Sequence, residues 1–309
     1  MSKEDNQGAL PAIGLIGYGE AGSRIAGGLA RSNPALAVWV VDPLLSAEAA
    51  GGPRRAAAAA AKLLVARDVA ELASNVDVIL STVTAAVAVR VAEGAAPLLR
   101  SGQIYADLNS VSPETKKRIG EIISRAGGSF VEGAIMTNVA KKQHQVPIFA
   151  CGPGVDDFVQ KANALGMAVE SLGPELGRAS ATKMFRSIMV KGMEALFLEC
   201  LLASSEYGVG DRVLQMVQEG YPGMDWKALA NNLVGRTAEH GARRADEMKE
   251  VAATLRVMGI DPYMADAAAL RIASCGDAMK GHFPDGPPAT YHEAMDIVRN
   301  AHDRQRAAS

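Results

Sequence analysis

Four residues, Ile13-Gly14-Leu15-Ile16, run directly into Gly17-Tyr18-Gly19-Glu20-Ala21-Gly22 and then into a helical pattern from Ala21 to Ala30. A short apolar run that meets a G-x-G-x-x-G turn and reopens as a helix is compatible with few folds. The first glycine permits a tight turn, the second lets backbone N–H groups approach a pyrophosphate, and the third lets the helix pack on the strand, while the helix N-terminus favours the anion. Such a turn alone is common. Here the next apolar run ends in Asp42, twenty residues beyond the last glycine, where a carboxylate accepts hydrogen bonds from adenine-ribose hydroxyls. The residues expected at a dinucleotide are therefore Gly17, Tyr18, Gly19, Glu20, Ala21, Gly22 and Asp42. A carboxylate at that place repels a 2'-phosphate, so NAD is expected ahead of NADP. Arg54 and Arg55 would admit NADP if their segment folds back.

The rest of the first half repeats the same alternation. Apolar runs at Ala37 to Val41, Val76 to Leu80, Gln103 to Ala106 and Ile148 to Ala150 are separated by helical patterns. Continuous apolar strands between helices read as a parallel sheet covered on both faces. The expected fold is α/β, a doubly wound, mostly parallel sheet followed by an all-α domain. After Gly173-Pro174 the strand pattern stops, and helices are expected over Ala179 to Ser205, Asp211 to Gly220, Asp225 to Met258 with a break, and Tyr263 to Met279. The domains are placed at 1–173 and 174–309, with the helix from Ala179 as the hinge. Ala56 to Ala61 reads as helix, Gly51 to Arg55 as a surface loop, and Glu20 with Arg24 as an i,i+4 surface pair.

Composition narrows the function. With 32 basic and 34 acidic residues the formal net charge is −2, which leaves no positive excess for nucleic acid or an anionic membrane. Three widely spaced cysteines, Cys151, Cys200 and Cys275, argue against a disulfide framework. The polar start and the lack of a long apolar run give no sign of a signal or a membrane span, so a cytoplasmic protein is expected. The histidines have no partners at ligand spacing, so no metal is expected. The long apolar helix from Met184 to Leu202 exceeds what one small helical domain covers, and a homodimer is expected.

Lys183, Ser187 and Lys191, spaced by four, share one face of that helix. A lysine at the start of an apolar helix is commonly a snorkelling surface residue. If it faces a nicotinamide ring, it can pass a proton as hydride moves, given a pKa lowered toward neutrality by burial or by neighbouring cations such as Arg186 or Lys191.

Three ordered motifs now stand together: the glycine turn, Gly102-Gln103-Ile104-Tyr105-Ala106-Asp107-Leu108-Asn109-Ser110-Val111-Ser112-Pro113, and Gly177 with Lys183 six residues on. In this order the chain resembles the β-hydroxyacid dehydrogenase family, which includes 3-hydroxyisobutyrate and 6-phosphogluconate dehydrogenases and, more distantly, imine reductases. The resemblance spans nearly the whole chain. It implies a Rossmann domain, an all-helical domain that also dimerises, and an active site between them. By resemblance Lys183 is the catalytic lysine, Asn109 and Ser110 lie at the nicotinamide and substrate, and Thr82 and Val83 line the cofactor cleft.

The departures bear on substrate. Met136, Thr137 and Asn138 replace the family's Ser-Gly-Gly substrate grip, and Ser187 replaces its usual asparagine. Val190 stands where 6-phosphogluconate dehydrogenases carry a proton-donating glutamate, so decarboxylation of that sugar acid is disfavoured. The family's distal Lys-Asp pair falls at Asp246-Glu247, leaving Arg243 or Arg244 to make its cofactor contact. His240 is a candidate for substrate binding or for a share of the proton transfer, beside the plainer reading of a structural histidine. The expected function is an NAD(P)-dependent oxidoreductase acting on a small polar hydroxy acid or its keto or aldehyde form, with Lys183, Ser110 and Ser187 as catalytic residues. An imine reductase and a non-catalytic dinucleotide-binding sensor are the alternatives; the retained Lys183 argues against both.

Overall fold

The computed structural model of the protein describes residues 10–47 and 52–308. It has two compact units, the chain through Lys183 and Met184–Ser309. The division lies inside the helix Arg178–Ser205 rather than at Gly173.

The first unit is built on eight strands: β1 (Ile13–Ile16), β2 (Val38–Val41), β3 (Leu64–Val65), β4 (Val78–Ser81), β5 (Ile104–Asp107), β6 (Ser129–Ile135), β7 (Pro147–Cys151) and β8 (Ala168–Ser171). They form one sheet in the order β3-β2-β1-β4-β5-β6-β7-β8. Every pair is parallel except β6 with β7. Successive strand residues enter opposite faces. Leu15, Val40, Leu80 and Ala106 pack in one core, and their neighbours Ile16, Val41, Ile79 and Tyr105 in the other. Cover on both faces makes these central strands mostly apolar, and each fully buried large aliphatic side chain stabilises by roughly 1.5–3 kcal/mol. The chain winds outward from β1 to β3, returns, and lays β4 on the other side of β1. That reversal is the switch point at which open α/β sheets bind ligands.

All five apolar runs expected as strands are strands. Three strands have weaker signals. β3 is only two residues long, β8 is an edge strand with three of its four residues exposed, and β6 carries Glu132 and Gly133 in the middle of its apolar pattern. The segment read as a loop at Gly51 to Arg55 is in part helix: Gly51 lies outside the described residues, and a helix runs Pro53–Ala60. Proline suits the first helical position, where its missing N–H has no intrahelical partner to lose. Glu20 and Arg24 form no ion pair among the described residues.

The second unit is helical, with Gly210–Gly220, Trp226–Val257, Tyr263–Met279 and Tyr291–Ala308 following the long helix. The last of these was not anticipated. The break expected in Asp225 to Met258 falls at His240, whose φ and ψ of −137° and 19° are non-helical. Leu198, Leu201, Val234, Ile272, Met295 and Val298 form its main core. Inside it the buried Glu194 carboxylate accepts from Thr237 Oγ1 and from Arg244 Nε at 2.9 Å. Lys191 pairs with Glu247, and burial lowers the lysine's pKa. Among the described residues no helix is long and apolar enough to cross a membrane.

Candidate active site

The carboxyl ends of β1, β2, β4, β5 and β6 meet at one edge of the sheet, because these strands run parallel. Gly17, Asp42, Thr82, Asn109 and Met136 directly follow these ends or stand within two residues of them.

The glycine turn is locked by contact. Gly17 has φ +103°, and a Cβ there would stand 2.6 Å from the Thr82 carbonyl oxygen. At Gly22 a Cβ would stand 2.1 Å from the Gly17 carbonyl oxygen. Thr82 Oγ1 donates to that same carbonyl at 3.0 Å. Gly19 differs, since nothing lies within 4 Å of its Cβ position. It is also the N-cap of the helix Glu20–Ser32, and no side chain caps that end. The first-turn N–H groups thus face a space that a side chain would fill, and these residues fit a dinucleotide pyrophosphate. We expect Gly19→Ala to cost at most about 1 kcal/mol of stability, the usual scale for an N-cap change. Its dissociation constant for the dinucleotide should rise by about tenfold or more, equivalent to roughly 1.4 kcal/mol. Calorimetric titration checks this, and an unchanged affinity would remove the glycine from the cofactor cradle.

Asp42 ties the turn to the end of β2: Oδ2 accepts from Tyr18 N at 2.7 Å and Oδ1 from Leu44 N at 2.8 Å. Arg55 Nε donates to the Leu45 carbonyl at 2.7 Å. Arg55 thus meets the residues just after Asp42.

Asn109 has a different part from the one expected of it. It is 4% exposed, and its Nδ2 donates to Ser81 Oγ at 2.9 Å and Asp107 Oδ2 at 2.7 Å while its Oδ1 accepts from Val83 N at 2.7 Å. The amide fixes the Thr82-Val83 loop beside the expected cofactor cleft. Asp107 is in turn held by Lys116, which is wholly buried and donates to Asp107 Oδ1 at 2.5 Å, the Asp107 carbonyl at 2.6 Å and the Gly133 carbonyl at 3.0 Å. Nothing local marks Lys116, which sits beside Lys117 and Arg118 in what looks like a solvated helix face.

Lys183 Nζ donates to Ser110 Oγ at 2.9 Å. Ser110 is exposed and Lys183 half-buried, so the pair is packed and still reachable. A hydroxyl that accepts from an ammonium turns its own proton outward, ready to bond an oxygen of a ligand.

The helix that carries Lys183 begins at a built socket. Glu132, wholly buried on β6, accepts from Gly177 N at 2.5 Å and Ser180 N at 2.7 Å. The backbone amides of Arg178 and Ala179 face the buried Cys151 sulfur, whose pKa burial and the Glu132 charge push up to about 11. Sequence reasoning missed Glu132 and Cys151, each more than twenty-five residues away from the amides it meets.

Other candidates are placed less centrally. Asn138 uses its Oδ1 to cap the short helix Val139–Lys142, which leaves Thr137 the exposed polar side chain of that turn with an uncommitted hydroxyl. Ser187 is half-buried and His240 exposed, both in the second unit. The suggestion that Arg243 or Arg244 makes a distal cofactor contact meets prior commitments: Arg244 is bonded to Glu194 in the core, and Arg243 pairs with Glu247 at 2.8 Å. Among the described residues no group of three or more His, Cys, Asp or Glu side chains is arranged to hold a metal ion.

Comparison with known proteins agrees with this geometry. Residues 12–165 match the NAD binding domain of 6-phosphogluconate dehydrogenase, and residues 205–274 match a domain of unknown function, DUF1932. The structure of a conserved hypothetical protein from Sinorhizobium meliloti 1021 is 40% identical, with a TM-score of 0.83 over 95% of this chain and 97% of the other. An uncharacterized 28.5 kDa protein in the 7S RNA 5' region of Methanothermus fervidus is 27% identical over 255 residues, 82% of this chain and 94% of the relative. A 3-hydroxyisobutyrate dehydrogenase of Mycobacterium tuberculosis, solved with L-serine, is only 14% identical but has a TM-score of 0.72 over 94% of this chain and 100% of the other, a likeness of fold. Sheet order, glycine turn and matched domain define a nicotinamide-dependent oxidoreductase. The chain belongs to the β-hydroxyacid dehydrogenase superfamily, with a DUF1932 region in its helical half.

Proposed function

We propose that this protein moves a hydride between NAD and a small polar hydroxy acid or its keto or aldehyde form. The observation that carries the reading is the Lys183–Ser110 hydrogen bond beside the carboxyl edge of the sheet. When bound, the nicotinamide supplies the hydride acceptor or donor. In the oxidative direction the carbinol C–H bond breaks with its electron pair, the C=O bond forms, and the hydroxyl proton must leave in step. Lys183, as the free amine, takes that proton and becomes the ammonium; Ser110 bonds the same oxygen and orients it. In reduction the ammonium returns the proton. The first-turn amides of the helix from Glu20 would hold the pyrophosphate, and Asn109, through Val83, keeps the adjoining loop in shape.

Thr82, Val83, Met136 and Thr137 are the further ligand-facing groups of the first unit on this reading. The roles of Ser187 and His240 are proposed from family resemblance alone. Asp42 favours NAD, while Arg55, which meets the residues just after it, narrows the expected margin over NADP. A screen of hydroxy acids, and of cyclic imines as the competing substrates, against both cofactors at the nicotinamide absorbance tests the reading. Turnover of imines alone would overturn it.

The second unit is further proposed to form a homodimer, in a reducing cytoplasm suited to three free cysteines. Of the seventeen exposed large apolar residues described, thirteen belong to this unit, among them Met189, Leu196, Val257, Tyr263 and Leu270. An excess of exposed apolar side chains in one unit supports an interaction face there. Light scattering at micromolar concentration should give twice the chain mass, and a monomer would contradict it.

A further inference from the structure

Among the described residues, four helices take their N-cap from the residue just before them: Asp68, Ser112, Asn138 and Asp225 each accept from an amide of the following turn. The helix that carries Lys183 does otherwise. Its N-terminal residue Arg178 follows Gly177, at φ +99°, which has no side chain to offer. Its amides are met by Glu132, forty-five residues earlier in the chain and wholly buried. Burying a carboxylate costs several kcal/mol unless charge-assisted bonds and a helix dipole offset it. A local serine or aspartate would cap the helix without that cost. What the remote carboxylate adds is a fixed position: it pins the start of the helix to a strand inside the sheet.

The strand position matters. Glu132 is the register partner of Asp107 on β5. Asp107 is clamped by the buried Lys116 and leads, three residues on, to Ser110. Lys183 is likewise three residues beyond Ser180, one of the two amides that Glu132 holds, an axial rise of about 4.5 Å. The two ends of the Lys183–Ser110 hydrogen bond therefore hang from neighbouring positions on neighbouring strands, each by a short stiff connection.

We propose that Glu132 is a positioning residue for Lys183: by holding the Gly177 and Ser180 amides it sets the height and rotation of the first helical turn, and so keeps the lysine on Ser110. This rests on Lys183 being the proton carrier only for its effect on catalysis, and the test separates the two. In Glu132→Gln an amide NH2 replaces one acceptor and confronts a backbone N–H. Glu132→Asp keeps the charge but withdraws it by one methylene.

Two substrate-independent readouts are made on the full chain. Hydrogen exchange over residues 177–180 reports the turn, and acetic anhydride labelling of Lys183, resolved by peptide mass spectrometry and referenced to the exposed Lys249, reports the lysine. Glu132→Gln should raise exchange in the turn by about tenfold or more and move the labelling rate of Lys183 at least threefold toward that of Lys249, with Glu132→Asp between it and the wild type. If Gln does not fold, the Asp variant carries the same comparison. Faster exchange with Lys183 labelling unchanged would make Glu132 a structural cap only and overturn the proposal, as would unchanged exchange. With the screened substrate, kcat should fall by about 10²-fold, the scale of a misplacement near 1 Å, with the cofactor KM within a few-fold. The same loss should be nearly absent in a Lys183→Ala background, and additive losses would overturn it. If Lys183→Ala alone retains turnover while the labelling shift is seen, the positioning stands and the catalytic reading of the lysine falls.

Discussion

Lys183→Ala is expected to lower kcat by two to four orders of magnitude while the dissociation constant for NAD stays within a few-fold. A positioned acid or base contributes about 10²- to 10⁴-fold, and a group that acts on the proton in flight contributes chiefly in the transition state, so its removal appears in kcat rather than in cofactor binding. The geometry behind the number is one hydrogen bond, Lys183 Nζ to Ser110 Oγ at 2.9 Å. The glycine turn, proposed to hold the pyrophosphate rather than the nicotinamide, is not touched by this substitution. Ser110→Ala should cost less than Lys183→Ala, because the lysine can still reach the reacting oxygen. Steady-state kinetics with the substrate from the screen, together with calorimetric titration of NAD, decides the matter. Near-full turnover of Lys183→Ala would make the lysine structural and pass the proton-transfer role to another group, with His240 the next to examine.

The largest expected loss of stability comes from Lys116→Met. Both members of the Lys116–Asp107 pair are wholly buried. Removing the lysine leaves a carboxylate in the core with its charge uncompensated, and breaking a buried pair from one side typically costs about 3–5 kcal/mol. The Asp107 carbonyl and the Gly133 carbonyl lose a donor as well. The damage should spread to the site, because Asp107 orients Asn109 and Asn109 holds the Val83 amide. Denaturant unfolding should therefore shift together with a weakened dinucleotide affinity. The double variant Lys116→Met with Asp107→Asn removes the stranded charge and should recover part of the stability. If the double variant is no more stable than the single one, the buried charge is not the cause.

Much of the first unit was legible in the sequence because its signals are local. The strand, the G-x-G-x-x-G turn and the following helix lie within twenty residues and are set by backbone sterics and by contacts between near neighbours: Gly17 needs φ +103°, and Gly22 cannot carry a Cβ beside the Gly17 carbonyl. β1, β2, β4, β5 and β7 carry mostly apolar runs because both faces of the sheet are covered, which marks them without knowledge of their partners. The helix Tyr263–Met279 followed from periodicity in the same way, whereas the break expected somewhere in Asp225 to Met258 was placed at His240 by the structure. Lys183 and Ser110 could be named from three ordered motifs, each a short stretch of chain.

What the tertiary structure alone decided is the assignment of buried polar groups to one another. Glu132 and Lys116 carry no local mark of a role, and nothing in the sequence names Asn109's protein partners; folded, Glu132 is a helix socket, Lys116 half of a core ion pair and Asn109 a loop brace. Asp42 was placed correctly at the end of its strand, yet its bonds to the Tyr18 and Leu44 amides, and the approach of Arg55, belong to the fold. The physical reason is the same in each case. A buried charge or amide is tolerated only where a partner arrives to satisfy it. That partner can come from anywhere in the chain, so a residue type at a given position carries no local mark of whom it will meet.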